Sequence, residues 1–449
     1  MTLLSVVFTL NIPSLLADEN ACYRVYLKDK GSAAYMETSA EDYLSPEAVE
    51  RRMLREAYPD ASDLPVSQQY IDAITSIGCR YVVQSRWMKT VVVECVDSIS
   101  VGQLALLPFV DSIKCVRTAT AMEAPRPCTD DTSRLAPNDT LLESPYGYAL
   151  EQITMLNGVK LHEAGYRGKG MKIAVVDAGF ANADRIEAFA SMRLLGTHNV
   201  ATPDRSVFCE DNHGTKALSC LAANLPGIMT GTAPEASYLL IKSEQSESES
   251  PVEEDFWAAA VEYADSFGVD IISSSLGYFR YDSFPDYYTN EDLNGYSAFI
   301  SKVAAKAAEK GLLVVTSAGN EGNKEWSKIV FPADVENILS VGSINDDGTR
   351  SGFSSIGMTA DYRIKPDVTA LGSGVCLFDA DGDIRYSAGT SFSAPAVAGM
   401  AACLWQALPL LKNTELMQLI RNTADRNDRP DVECGYGIPD FYKAYQSKK

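Results

Sequence analysis

The chain has 449 residues, 46% of them apolar, which is longer than one ordinary domain and rich enough in apolar side chains to build real cores. Its formal net charge is −21, which argues against nucleic acid or an anionic membrane as a partner, because both are polyanions. The charge is uneven: residues 20–118 hold 11 Lys+Arg against 13 Asp+Glu, whereas residues 119–449 hold 28 against 45, so two modules of different character are expected.

The opening run "MTLLSVVFTLNIPSLLA" is apolar, ends in a small residue and is followed by "DEN". It reads as a signal peptide over residues 1–19, and a secreted or periplasmic location follows. Pro13 breaks the run, which is short for a spanning helix, and no other stretch reaches that length, so no membrane span is expected. No Lys or Arg precedes the run, a departure from the usual signal pattern. Lipid anchoring at Cys22 is the weaker reading, since acidic residues stand where a lipoprotein signal has small or apolar ones. The ten cysteines are even in number and without metal-ligand spacing; their pairing is not readable, and Cys220 and Cys403 sit in small-residue helical runs that suit buried free thiols equally well.

Residues 20–118 read as a small α+β domain. "CYRVYLKDKG" and "TVVVECV" alternate like strands, Ser45-Pro46 opens "SPEAVERRMLREAY" as a cap opens a helix, and "SVGQLALLPFVDSIKCVR" joins a helix to a strand. Residues 119–149 lose periodicity and gain Pro, Asp and Thr, as an exposed linker would. In residues 150–449 the pattern changes. "MKIAVVDAGF", "ASYLLIKSE", "VDIISSSLG", "GLLVVTSAGN", "NILSVGSIN" and "KPDVTALG" are short apolar β-rich runs, with helical patterns between several of them. The expected class is α/β, a doubly wound parallel sheet with helices on both faces, preceded by the small α+β domain. The biased run "SEQSESESPVEED" reads as a solvated acidic loop.

In such a sheet functional groups collect at the carboxyl ends of the strands. Asp177 ends "KIAVV" and Asn320 ends "LLVVTSAGN"; either is a turn former or a group facing a cleft. Of the three histidines, His162 and His198 read as surface or packing residues. His213 precedes a small-residue helix, and Gly214-Thr215 after it permits close approach of another backbone. Ser391 in "YSAGTSFSAPAVAGM" stands at the start of a helix whose side chains are too small for an amphipathic stripe, which demands burial on nearly all sides. A serine there is an N-cap, a nucleophile or both. Together the four fill the roles of acyl transfer: nucleophile, base, orienting acid and oxyanion donor.

Five ordered motifs carry a resemblance: "IAVVDAGF" around Asp177, "NHGT" around His213, "SSSLG" from Ser273 to Gly277, "SAGNEG" around Asn320 and "GTSFSAPAVAG" around Ser391. Over roughly Leu150 to Tyr445 the chain resembles the subtilisin-like serine peptidases, the subtilases, and the order Asp, His, Ser is theirs. The resemblance implies Asp177, His213 and Ser391 as a triad, Asn320 as oxyanion donor, and Ser275, Leu276 and Gly277 as an edge that pairs with substrate backbone. It also implies Ser317, Ala318 and Gly319 as substrate contacts, with Val330 narrowing a specificity pocket. The implied activity is a secreted serine endopeptidase acting on protein or peptide substrates. The chemistry requires no cofactor; structural calcium is compatible with the acidic balance, but no ligand is identified. Residues 20–118 resemble the propeptides of the family, which implies an intramolecular inhibitor and cleavage within the linker. Phe392 and Ala396 depart from the Met and His of many relatives at positions that carry no chemistry.

"DADGD", Asp379 to Asp383, is similar to a calcium loop, but Thr390 stands at the twelfth position where an EF-hand needs Glu, so a hairpin turn is expected. "YFRYDSFPDYYTNEDLNG" after the substrate edge is either a wall of the cleft or a solvated insertion. Two rival functions remain open at this level: a binding protein on a retired enzyme scaffold, and a peptide ligase or cyclase using the same acyl-enzyme. If His213 is the base, activity should rise through an apparent pKa of about 6 to 7.5.

Overall fold

A computed structural model of the chain describes residues 21–31, 40–118, 134–137, 139–245, 248–284 and 287–449. The signal-peptide reading of residues 1–19 lies outside them, as do residues 119–133 of the expected linker, Cys128, and short pieces of the acidic run and of the aromatic insertion.

The first module is a four-stranded antiparallel sheet in the order Arg80–Ser85, Thr90–Cys95, Ala21–Leu27, Val110–Arg117. Alternation along these strands sends Tyr23, Val25, Val91 and Val93 into the module's own core, and Cys22, Val92 and Val116 towards the second module. Ser45 caps the helix Pro46–Leu54, its hydroxyl accepting from Ala48 N. Cys79 and Cys95 form a disulfide, Cys209 is also disulfide-bonded, and Cys220 and Cys403 are buried free thiols.

The second module is built on a seven-stranded sheet in the order Val368–Leu371, Leu339–Ile344, Leu313–Ser317, Ile271–Ser274, Lys172–Asp177, Ser237–Lys242, Arg193–Asn199, paired in parallel throughout. The strands read as continuous apolar runs because both faces are covered. Ile173 and Val175 pack on the side of helices His213–Ala222 and Thr390–Ala407; Ala174 and Val176 pack on the side of Val252–Phe267 and Phe299–Glu309. Every residue of the Thr390 helix from Thr390 to Trp405 is buried, which accounts for its lack of a polar face. The described part of residues 134–149 runs along this module: Leu135 N donates to Arg185 O at 3.1 Å and Leu135 O accepts from Glu187 N at 2.8 Å. Among the described residues no helix is long and apolar enough to cross a membrane.

The acidic run is not simply a solvated loop. Glu253, Glu254 and Asp255 are buried in the first turn of the helix Val252–Phe267. Arg24, from the first strand of the first module, donates from Nε and Nη2 to the two oxygens of Asp255 at 2.7 Å each and from Nη2 to Glu254 at 3.2 Å. Its guanidinium lies 3.6 Å over the ring of Phe299. Burying a carboxylate is costly unless it is hydrogen-bonded or paired with a cation, and for Asp255 and Glu254 the cation arrives from 231 residues before Asp255. The aromatic insertion is packed as well. Tyr278 and Tyr281 are buried, and Lys114 of the first module stands 3.6 Å over the ring of Tyr287.

Candidate active site

Asp177 ends its strand with a fully buried carboxylate. Oδ1 accepts from Ala178 N at 2.8 Å and meets His213 Nδ1 at 2.6 Å, while Oδ2 has no partner among the described residues. His213 is the first residue of its helix, and its backbone N–H donates to Asp211 Oδ1 at 2.6 Å. The helix can come this close because residue 214 is glycine: a Cβ there would lie 2.4 Å from Gly179 O and 2.9 Å from Asp177 Cβ. The contact with Asp177 makes Nδ1 the protonated nitrogen and leaves Nε2 for other work. The Asp177 carboxylate is also the main cause that pushes the imidazole pKa up to about 9, against the effect of burial and with smaller help from Glu244 and Asp211. The shift is upward from the ordinary histidine value, so it would move the activity limb expected at about 6 to 7.5 to higher pH.

Ser391 is the second residue of its helix and Pro395 the sixth. A proline lacks the N–H that would bond to the carbonyl four residues earlier, so the carbonyl of Ser391 is left without its helical partner. Ser275 fills the gap: its hydroxyl donates to Ser391 O at 2.7 Å. The Ser391 hydroxyl in turn faces Ser275 O at 3.4 Å. Phe392, the next residue, holds its ring 6.1 Å from the His213 imidazole, centroid to centroid. Ser393 points the other way, into packing, with its hydroxyl 3.2 Å from both Ala370 O and Leu371 O.

Asn320 follows the strand Leu313–Ser317, and its Oδ1 accepts from both Thr390 N and Thr390 Oγ1 at 3.0 Å. The amide is thereby oriented. Its oxygen caps the helix that carries Ser391, and its nitrogen is turned towards Gly389, 3.7 Å from where a Cβ would stand. Thr390 Oγ1 also accepts from Gly319 N at 3.2 Å, so one hydroxyl ties Gly319, Asn320 and the helix start together. Gly319 has φ +108, and a Cβ there would stand 2.8 Å from Ser355 Oγ and 2.9 Å from a Val330 methyl. The same Val330 side chain comes within 2.4 Å of a Cβ position on Gly277. Val330 therefore lies between the backbones of Gly277 and Gly319. Leu276 and Ala318 are buried beneath, and Ser317 ends its strand beside them.

The remaining candidate residues lie elsewhere. His162 is buried, its Nε2 3.0 Å from Thr232 O, and burial pulls its pKa down to about 4. His198 stacks on Tyr263 at 4.1 Å. "DADGD" is the turn of the hairpin formed by Val375–Phe378 and Ile384–Ser387; Asp379 accepts from Asn212 Nδ2 at 2.9 Å. Among the described residues no group of three or more His, Cys, Asp or Glu is placed to hold a metal ion. Thr390, Asp211, Glu244 and the Ser275 hydroxyl are not marked by sequence as parts of the site. Only Thr390 left a signal, as a hydroxyl residue directly before Ser391 in "YSAGTSFSAPAVAGM".

Residues 168–437 match the subtilase family, peptidase S8, and residues 22–130 match the peptidase S8 propeptide domain of Bacteroidota. The chain is 26% identical over 288 residues to subtilisin DY of Bacillus licheniformis, covering 62% of this chain and 91% of that protein. It is 28% identical over 285 residues to subtilisin E of Bacillus subtilis (strain 168), covering 62% of this chain and 66% of that protein. Among solved structures, MycP1 with its N-terminal propeptide removed superposes with a TM-score of 0.52 at 21% identity, over 66% of this chain and 96% of that one, a likeness of fold. A parallel sheet with Asp177 and Asn320 at its strand ends, a match spanning more than half the chain and a family propeptide ahead of it lead to one conclusion: the chain belongs to the subtilase family, as a subtilisin-like serine endopeptidase that carries a propeptide domain.

Proposed function

We propose that this protein is a secreted precursor whose mature form hydrolyses peptide bonds through an acyl-enzyme, with Asp177, His213 and Ser391 as the triad and Asn320 as oxyanion donor. The observation that carries this reading is the 2.6 Å contact of His213 Nδ1 with the buried Asp177, beside the helix that begins at Thr390. His213 Nε2 takes the Ser391 proton as Oγ attacks the carbonyl carbon. The tetrahedral oxyanion receives the Asn320 amide, and the imidazolium returns its proton to the departing amine. Water then repeats the sequence on the ester and releases the acid. For the first step the Ser391 hydroxyl must leave Ser275 O and turn to His213; catalytic hydrogen bonds of this kind tighten when substrate binds.

Ser275–Gly277 and Ser317–Gly319 are the substrate-binding segments of this reading, and Val330 between Gly277 and Gly319 favours a small side chain there. Residues 20–118 act as an intramolecular inhibitor, residues 119–149 hold the maturation site, and residues 150–449 form the catalytic domain. Ser391→Ala should abolish hydrolysis, by on the order of 10⁶-fold in turnover, the magnitude known for loss of the nucleophile in subtilisin. It should also leave the precursor uncut. Peptide turnover and the precursor's mass test both; normal turnover in the variant sinks the assignment, and an inactive variant that is still cut shows that another protease performs maturation.

A further inference from the structure

Glu244 stands two residues beyond the strand Ser237–Lys242, whose last residue is in register with Asp177. That places it at the carboxyl edge of the sheet next to the Asp177–His213 pair, and its charge is among those that act on His213. Its Oε1 accepts from the Tyr278 hydroxyl at 2.8 Å. Tyr278 directly follows Gly277, and its backbone is fixed by two hydrogen bonds of 2.9 Å to Phe331. The carboxyl group is therefore held by Tyr278 at the end of the Ser275–Gly277 edge, on the strand-end side where Asp177 and His213 meet.

No cation answers it among the described residues. The nearby Lys242 is committed to Glu210 at 2.7 Å, and Arg205 pairs with the same glutamate. Arg117 bonds to Glu94 and to Gln245, each at 3.0 Å. The charges facing Glu244 from neighbouring elements include the acidic Glu249 and Asp177, with His213 opposing them, and with burial as the leading cause its pKa is pushed up to about 8. A second observation points to the missing ligand. The first module's last strand delivers the Arg117 guanidinium to Gln245 Oε1, on the residue beside Glu244, and the adjacent Thr118 hydroxyl reaches Ser283 Oγ at 3.0 Å. Basic chain already comes to this edge of the cleft.

We propose that Glu244 is a specificity-determining carboxylate that receives the ammonium or guanidinium of a Lys or Arg side chain in the part of the peptide laid along Ser275–Gly277. The inference rests on the protease reading above. An incoming cation ionises this partly buried acid, and the carboxylate so formed makes a charge-assisted hydrogen bond to it, which corresponds to a preference of about ten- to a hundredfold over a neutral side chain of the same length.

The test uses the processed full-length protein and a matched peptide series in which Lys, Arg, norleucine or Glu is moved through the positions on either side of the cleaved bond. At one position kcat/KM for Lys or Arg should exceed that for norleucine by the stated factor. Glu244→Gln, which keeps the shape and the Tyr278 contact, should bring the ratio close to one, and Glu244→Lys should turn the preference towards Glu. A ratio near one at every position in the wild type overturns the inference, and so does a ratio unchanged in Glu244→Gln. If Glu244 acted only on the acidity of His213, the variant would shift the pH profile for all peptides alike and leave the ratio intact, which is the second of these results. No cleavage of any peptide would overturn the protease reading and this inference with it, whereas cleavage without a cation preference overturns this inference alone.

Discussion

Carboxylates are treated in opposite ways in two regions of this molecule. Where the first module meets the helix Val252–Phe267, buried acids are saturated. Asp255 takes both arms of Arg24, Asp265 is shared by Arg51 and Arg52, and Glu262 accepts from Ser85 Oγ and from the backbone N–H groups of Arg86 and Trp87. In the cleft, Asp177 keeps one oxygen without a partner and Glu244 has no cation among the described residues. The interface uses several cations and N–H donors to fix one arrangement of two modules; in the cleft Asp177 meets His213 through a single oxygen, and Glu244 has only the Tyr278 hydroxyl. Saturation still carries a desolvation cost. Burial is the leading cause that pushes the Asp255 pKa up to about 6, with Arg24 acting against it.

The contrast predicts a graded series of effects. Arg24→Met, made in the inactive Ser391→Ala protein to prevent self-cleavage, strands Asp255 and Glu254 without a cation. It should destabilise the docked precursor by about 3–5 kcal/mol, and adding Asp255→Leu should recover part of that loss, since Glu254 stays without its cation. Urea melts of the single and double variants measure it; a single-variant loss below about 1 kcal/mol would mean the pair behaves like an exposed one.

In the cleft, the two ends of Asn320 have separable tasks. Asn320→Asp keeps an oxygen to cap Thr390 but lacks the amide donor. Turnover should fall by about a hundred- to a thousandfold, the loss known for a subtilisin oxyanion donor, with little change in KM or in melting temperature. Normal turnover in this variant would assign Asn320 to capping alone.

The open charges around His213 set the pH response. A base must be neutral, and with its pKa held at about 9 by Asp177, His213 is protonated at neutral pH in the free site. Below that pKa kcat/KM should rise roughly tenfold per pH unit, which makes about fiftyfold from pH 7 to 9, and level off above it. A profile that is flat above pH 7 contradicts it.

The smallest effect belongs to Ser275. Ser275→Ala leaves Ser391 O buried without a donor, because Pro395 has none to offer, at a cost of about 1–3 kcal/mol. Pro395→Ala should restore a helical donor to that carbonyl and recover part of the loss, as paired thermal melts would show.

Much of this was legible in the chain itself. The apolar runs ending in Asp177 and Asn320, and the small-residue helix behind Ser391, announce a parallel sheet with its functional groups at the strand ends, because both signals are local: a strand covered on two faces is apolar residue after residue, and a helix buried all round has no polar face. His213 was separable from His162 and His198 by the glycine beside it, since only glycine admits the Gly179 carbonyl at that distance.

What stayed hidden depends on partners far away in sequence. The run "SEQSESESPVEED" looks solvated by composition, and the burial of Glu254 and Asp255 was decided by an arginine 231 residues before Asp255. The Ser275 hydroxyl acquires its role from a carbonyl 116 residues later that a proline has left unpaired, and the Asn320 oxygen becomes a cap only because Thr390 is brought to it across 70 residues. Sequence by itself determined which side chains sit at strand ends and helix starts, since those positions follow from periodicity, capping and glycine. Only the tertiary structure decided which charges are answered and which are left open, because a carboxylate's burial and protonation depend on the groups packed against it, not on its neighbours along the chain.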